Sequence, residues 1–408
     1  MKARYFFYPF LSLFSVAMFA SCSLSVPKEG DIIEDSAFRS VDLRIIEKTK
    51  GTVMSLGDLM ESYEIIRLDN RDEALIKTYP YGVYVTDNYI LLRPADVVSP
   101  VKLFTRKGRY VADIGGVGQG PGEYLYLFSW LVDEKENRIY LGPGRTDKVL
   151  VYDLKGNYLP DEVIRFGEIV HKSQIWVDYD KKNVVVVTLP FSANVNSNFA
   201  ISKNVCWVQN REGDIVHRIP VNHYGLIGDY SNALVARRNV DAISFSISEV
   251  PMLRTRPDTL YHYDAVKNII TPCFTIDHVV SENQSVCTVL YETSRSYWAQ
   301  VTLYPNNLSS SVSSVRLPAF NVCVSKKDGN VRRIDRFTDP LLGLSHLFLM
   351  MNNGYICISY DPLELMDALD KVLTQTDLEP DVRKRATDLR NSLHENDNDI
   401  LIIGKLKQ

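Results

Sequence analysis

Apolar and polar residues alternate along most of this chain in runs of four to eight, separated by Gly, Asn, Asp and Pro. That is the pattern of half-buried β-strands joined by tight turns. Residues 38–59 are ambiguous, and Ser62 to Asp69 (SYEIIRLD) forms the first clear strand. Gly82 to Leu92 then reads as two strands about Asp87-Asn88, and Val101 to Val111 as two more about Lys107-Gly108. The same group of four returns from Leu131 to Tyr158 and again from Ile175 to Val216. Asp87, Asp133 and Asp178 are spaced by 46 and 45 residues, and Gly108, Gly156 and Gly213 by 48 and 57, the longer gap holding an insertion from Phe191 to Lys203. A period in the forties built from four short strands predicts propeller blades, because one small sheet cannot bury both faces unless its neighbours stack on it.

Later copies are less regular: Phe245 to Leu253, Asp258 to Asp264, Pro272 to Ile276, Tyr297 to Tyr304, Ser314 to Val324, a turn at Lys326 to Arg333, and Gly354 to Ser359. Dividing the span from Tyr63 to Tyr360 by a blade of roughly 45–50 residues gives about six. The predicted fold class is therefore all-β, a six-bladed β-propeller. A helical segment over about 361–393 interrupts it, since Asp361-Pro362-Leu-Glu364 offers an N-cap, a first-turn proline and an acidic first turn, with Leu365, Met366, Leu369, Val372 and Leu373 at helical spacing. A strand over about 399–406 follows and is assigned to ring closure against strands from the other end of the chain.

The N-terminus has a different pattern. Lys2 and Arg4 precede the apolar run Phe6 to Ala20, which is short for a membrane span and suited to a secretory signal. Phe19-Ala20-Ser21-Cys22 resembles a bacterial lipoprotein cleavage box, with Phe19 in place of the usual Leu. Residues 1–21 are thus read as a lipoprotein signal peptide, Cys22 as the lipidated first residue, 22–59 as a tether and N-terminal extension, and 60–408 as the propeller. The address is the cell envelope, as an outer-membrane lipoprotein on either face.

Composition adds exclusions. The 408 residues carry 46 basic and 50 acidic side chains, a net charge of -4, which gives no overall attraction to nucleic acid. Beyond Cys22 stand Cys206, Cys273, Cys287, Cys323 and Cys357, an odd number with no CxxC spacing. Three of them sit in apolar strand patterns and read as buried thiols.

The segment Phe104 to Tyr124 (FTRKGRYVADIGGVGQGPGEY) ends in a loop rich in glycine. Its glycines at 116, 118, 120 and 122 recur every second residue, no register gives GxGxxG, and no helix follows, so a phosphate cradle is disfavoured against a connection between blades. Gly118 to Tyr124, the Asp-Thr-Leu-Tyr run at 258–261 and the terminal ENDNDILIIGKLK together resemble the six-bladed β-propeller lipoproteins of diderm bacteria with a GxGPGEY signature. That resemblance implies a propeller and an envelope address, and it carries no catalytic residues.

Other motifs are weaker. Gly343-Leu-Ser345-His346-Leu347 lacks the second glycine of a nucleophile elbow. Asp133 to Asn137 alternates oxygen ligands but has Arg138 where a calcium loop needs glycine. The seven histidines include no HExxH, although a propeller can gather distant residues at its axis. Arg145 and Asp147, with Arg254 and Arg256, lie on loops between strands and are the candidate ligand-binding residues, an arginine there being able to grip a carboxylate or sulfate. Trp130, Trp176 and Trp298 could stack on a sugar, with core packing the commoner role.

The favoured reading is a lipid-anchored binding or scaffold module for a glycan, a peptide or an envelope protein. It requires no cofactor, no metal and no nucleic acid. The alternative is a propeller enzyme, a metal-dependent lyase or a hydrolase, whose residues converge in the central channel.

Overall fold

The computed structural model describes residues 28–33, 37–96, 98–178, 182–190, 203–222, 225, 233–237, 243–249, 258–278, 284–305 and 318–407. Six antiparallel sheets of four principal strands follow one another as six blades. Blade 1 consists of Pro80–Val85, Tyr89–Pro94, Val101–Thr105 and Tyr110–Ile114; blade 2 of Leu127–Asp133, Arg138–Pro143, Arg145–Asp153 and Ile164–His171. Blade 3 comprises Gln174–Asp178, Asn183–Val187, Asn204–Asn210 and Ile215–Pro220, and blade 4 Ala233–Arg237, Ser244–Glu249, Thr259–Asp264 and Ile269–Asp277. Blade 5 holds Gln284–Glu292, Ser296–Pro305, Ala319–Ser325 and Val331–Thr338. Blade 6 takes Met350–Asn352, Tyr355–Tyr360 and Ile400–Lys405 from the end of the chain and Glu64–Arg67 from its beginning. Ile400–Lys405 pairs antiparallel with Glu64–Arg67, so the ring is closed by strands from opposite ends of the sequence.

Middle strands are apolar on both faces because blades stack on both sides. Asn183–Val187 (NVVVV) is buried from Val184 to Val187, and Tyr89–Pro94 (YILLRP) buries Ile90, Leu91 and Leu92. Successive apolar clusters fill the gaps between blades, one running from blade 1 through blade 2 to blade 3, others joining blades 3 and 4, 4 and 5, 5 and 6, and 6 and 1.

The described residues of the N-terminal stretch, 28–33 and 37–59, assigned by the sequence reading to tether and extension, lie along the outside of the ring. Lys28–Glu29 pairs parallel with the outer strand of blade 3, Asp31–Ile32 and Arg39–Asp42 with that of blade 4, and Thr52–Ser55 with that of blade 5. Val41, Leu43, Ile46, Met54, Leu56 and Met60 bury their side chains there. The strands are two to four residues long, too short to show an alternating pattern, which explains the ambiguous reading of 38–59. The signal peptide and Cys22 lie outside the described residues.

The helical segment is a pair, Pro362–Leu373 and Pro380–Asn391, inserted between the second and third strands of blade 6. Asp361 caps the first helix through its carboxylate, which accepts the Leu363 and Glu364 amides at 2.8 and 3.4 Å. Leu365, Leu369, Val372 and Ala386 pack with Ile400 and Ile402 of the closing strand. Among the described residues no helix is long and apolar enough to cross a membrane.

Candidate functional site

The first strands of the blades face one another around the axis, so the turns that leave them gather at one mouth of the ring. A cavity of about 400 Å3 opens there over blades 5, 6, 1 and 2. Its walls are Thr86 and Asp87 of blade 1, Asp133 and Glu134 of blade 2, Glu292 to Ser294 of blade 5, Met351 to Tyr355 of blade 6, and Lys405 to Lys407 beyond the closing strand.

Tight turn geometry orders this rim. The Tyr355 hydroxyl donates to Asp87 at 2.5 Å, and burial together with that carboxylate raises its pKa. Glu134 accepts the Asn88 amide at 2.8 Å and the Asn88 side chain at 2.6 Å, tying blade 2 to blade 1. Asn353, at φ 51°, donates its side-chain amide to the Val85 carbonyl at 2.7 Å and accepts the Tyr84 hydroxyl at 3.0 Å. Asp87 keeps most of its surface in water, with the Lys405 ammonium 3.9 Å away.

Glu292, at the end of the first strand of blade 5, has a side chain only 1% exposed. It is held by the Ser244 hydroxyl at 2.6 Å, by Lys326 at 2.5 Å and by His262 Nε2 at 2.8 Å. Burial pushes its pKa up, but the hydrogen bonds and charge of His262, Lys326 and Ser244 outweigh that and hold it down at about 2. His262 is opposed by burial and favoured by Cys273 and Glu292, which lift it to about 9. Ser244 and His262 belong to blade 4, Glu292 and Lys326 to blade 5, so the cluster clamps two neighbours beside the cavity.

Of the residues singled out in the sequence, Asp133 lines this cavity, and Arg145, Asp147 and Ser345 lie away from it. Arg145 and Asp147 are exposed at the start of the third strand of blade 2, at the end of the sheet away from the Asp133 turn. Arg254 and Arg256 lie outside the described residues. Ser345 is exposed on a two-residue strand at the edge of blade 5, while His346 beside it is buried and contacts the Tyr360 hydroxyl at 3.2 Å. Asp133 to Asn137 is the hairpin turn of blade 2, where Asp133 accepts the Glu136 amide at 3.1 Å. Trp176 and Trp298 are buried, whereas Trp130 keeps partial exposure. The five described cysteines are free, four of them buried. Among the described residues no group of three His, Cys, Asp or Glu side chains stands close enough to hold a metal ion.

The Gly118 to Tyr124 loop joins blade 1 to blade 2. Glu123 folds back to accept the Gly120 amide at 2.7 Å, and a Cβ on Gly118 would stand 2.1 Å from its carboxylate. The Tyr124 hydroxyl accepts the Val101 amide at 2.9 Å and donates to the Ile114 carbonyl at 3.1 Å, and Tyr152 donates to the Gly122 carbonyl at 2.6 Å. The segment is a structural joint. Sequence reasoning missed Glu292, whose partners come from distant strands, and the mixed strand QSVCTVLYE that it ends gives no local signal for it.

The chain belongs to the family described as Domain of unknown function (DUF4934), matched over residues 40–405. In sequence, no curated protein matches it. In structure it is similar to a Bacteroides fragilis protein named "Putative exported protein", at 16% identity and a TM-score of 0.58, over 90% of this chain and 99% of that one. A Bacteroides vulgatus member of the duf4221 family aligns at 9% identity and a TM-score of 0.45, over 86% of this chain and 97% of the other.

Proposed function

We propose that this DUF4934 chain is an exported, lipid-anchored envelope protein that binds a partner polypeptide at the turn mouth of its propeller. The observation that carries the reading is the cavity itself, walled by turns of four blades whose positions are fixed by hydrogen bonds between blades. Asp87, Asp133 and Glu134 put three carboxylates at the rim against the two ammonium groups of Lys405 and Lys407. Such a rim suits a segment that brings hydrogen-bond donors and positive charge, and a preformed site spares the ordering cost of binding. Export is supported by the signal-like Phe6 to Ala20 run and by the name of the Bacteroides fragilis neighbour, and anchoring at Cys22 by the lipoprotein-like Phe19 to Cys22 box.

Labelling of cells with a fatty-acid probe tests the anchor: label on the wild type and none on Cys22→Ser is expected, and an unlabelled wild type would refute it. For the site, Ser294→Trp places a bulky ring at the exposed edge of the cavity. Thermal melts against a panel of basic peptides should show a stabilising shift in the wild type that this variant loses. Equal shifts in both proteins would place the ligand elsewhere.

A further inference from the structure

At the opposite mouth, where the first strands begin, Arg93 stands next to the end of the second strand of blade 1 and lies against two aromatic rings. Its guanidinium carbon stands 4.2 Å from the ring centre of Tyr81 and 5.5 Å from that of Trp130, and these rings meet edge to face at 6.2 Å. Trp130 reaches this position because residue 82 is glycine: a Cβ there would lie 2.1 Å from the indole. Among the described residues no carboxylate pairs with Arg93 and no acceptor takes its donors, and its Nη1 is sealed from water, as is the indole nitrogen of Trp130, equally without an acceptor. The nearby Asp96 is committed to the amides of Val98 and Ser99 at 2.9 and 2.5 Å and to the Thr78 hydroxyl at 3.0 Å.

An arginine held by stacking alone is costly to keep charged, and burial does lower its pKa. Nη1 being sealed, an external anion can meet only the Nε and Nη2 edge, and that edge is oriented in advance with its donors in one plane. Around it the surface is aromatic and open. Tyr79, whose carbonyl accepts the Ala95 amide at 3.0 Å, is 75% exposed, Tyr81 48%, and Leu125 and Tyr126 on the joint to blade 2 are 49% and 57% exposed. The depression beside Arg93 that Leu125 also lines is only about 10 Å3, too small to seat an amino-acid side chain. Exposed aromatic rings with hydroxyl edges suit the C–H face of a sugar ring, and the adjacent guanidinium suits a carboxylate on that ring.

We propose that Arg93, Tyr81, Trp130 and the exposed Tyr79 and Tyr126 form a second site, which binds a carboxylated saccharide of the uronic acid class. It is separate from the turn-mouth cavity and stands or falls without it. Titration calorimetry on the full mature chain tests it with trigalacturonate, the uncharged galactose trimer, and a tripeptide bearing a free terminal carboxylate. Trigalacturonate should bind while the other two do not. Arg93→Lys, which keeps charge but loses the planar fork, should weaken binding by at least about tenfold, the loss of a charge-assisted hydrogen bond. Tyr126→Ala, at an exposed position that leaves the fold intact, should weaken it as well. No binding of trigalacturonate, equal binding of the neutral trimer, preference for the tripeptide, or unchanged affinity in both variants would each overturn the proposal.

Discussion

Two residue positions carry more of the molecule than their size suggests. Glu292 has three partners from two blades, and removing it leaves His262 and Lys326 without their common counterion. Breaking a fully buried pair costs about 3–5 kcal/mol, and because both cations are partly exposed, Glu292→Ala should cost roughly 2–3 kcal/mol by denaturant unfolding. The pH dependence follows from the same contacts. His262 is raised to about 9 from 6.5, so its contribution is complete below pH 6.5 and lost as pH rises through 9. Glu292 is lowered to about 2 from 4.5, so its contribution is present above pH 4.5 and lost as pH falls through 2. The wild type should lose melting temperature between pH 6.5 and 9.5, and His262→Gln should flatten that decline; an equal decline in the variant would assign it to other groups. At the blade joint, Gly122 has φ 73°, and a Cβ there would stand 2.8 Å from the Tyr158 ring. Gly122→Ala should therefore destabilise by about 1–3 kcal/mol, measured as a lowered denaturation midpoint.

Among the elements, regular hairpins were the legible part. The turns at Asp87-Asn88, Lys107-Gly108 and Gly156 stand where the repeat puts them, with Gly108 and Gly156 at φ 79° and 88°. The Asp361 cap and the closing strand were equally readable, because capping and a continuous apolar run are local signals. The first strands of blades 4 and 5, Ala233–Arg237 (ALVAR) and Gln284–Glu292 (QSVCTVLYE), were not legible: the first is short, and polar residues interrupt the apolar positions of the second, although Ser231-Asn232 and Asn283 stand just before them. The outer strands of residues 28–55 escaped for another reason: their pairing partners lie some 200 to 280 residues away. They cover the edges of blades 3, 4 and 5, and uncovered edges invite pairing between molecules. A chain shortened to begin at Met60 should melt at lower temperature and elute as aggregates in size exclusion. A monomer of unchanged stability would mean that the outer strands are ornamental.

The whole molecule is a ring tied at blade 6, and that closure places turns from blades 5, 6, 1 and 2 around one cavity. Arg145 stands exposed away from the turn mouth, and the residues that wall the cavity are turn acids and amides together with Lys405 and Lys407. Their convergence depends on ring order, which no local pattern encodes. If the turn mouth is the place of recognition, a photoreactive amino acid at Ser294 should capture one defined partner in living cells. The same group at Gly213, on the outer hairpin of blade 3, should capture none. Absence of an adduct from Ser294, or the same adduct from both positions, would contradict a partner-binding role for the turn mouth.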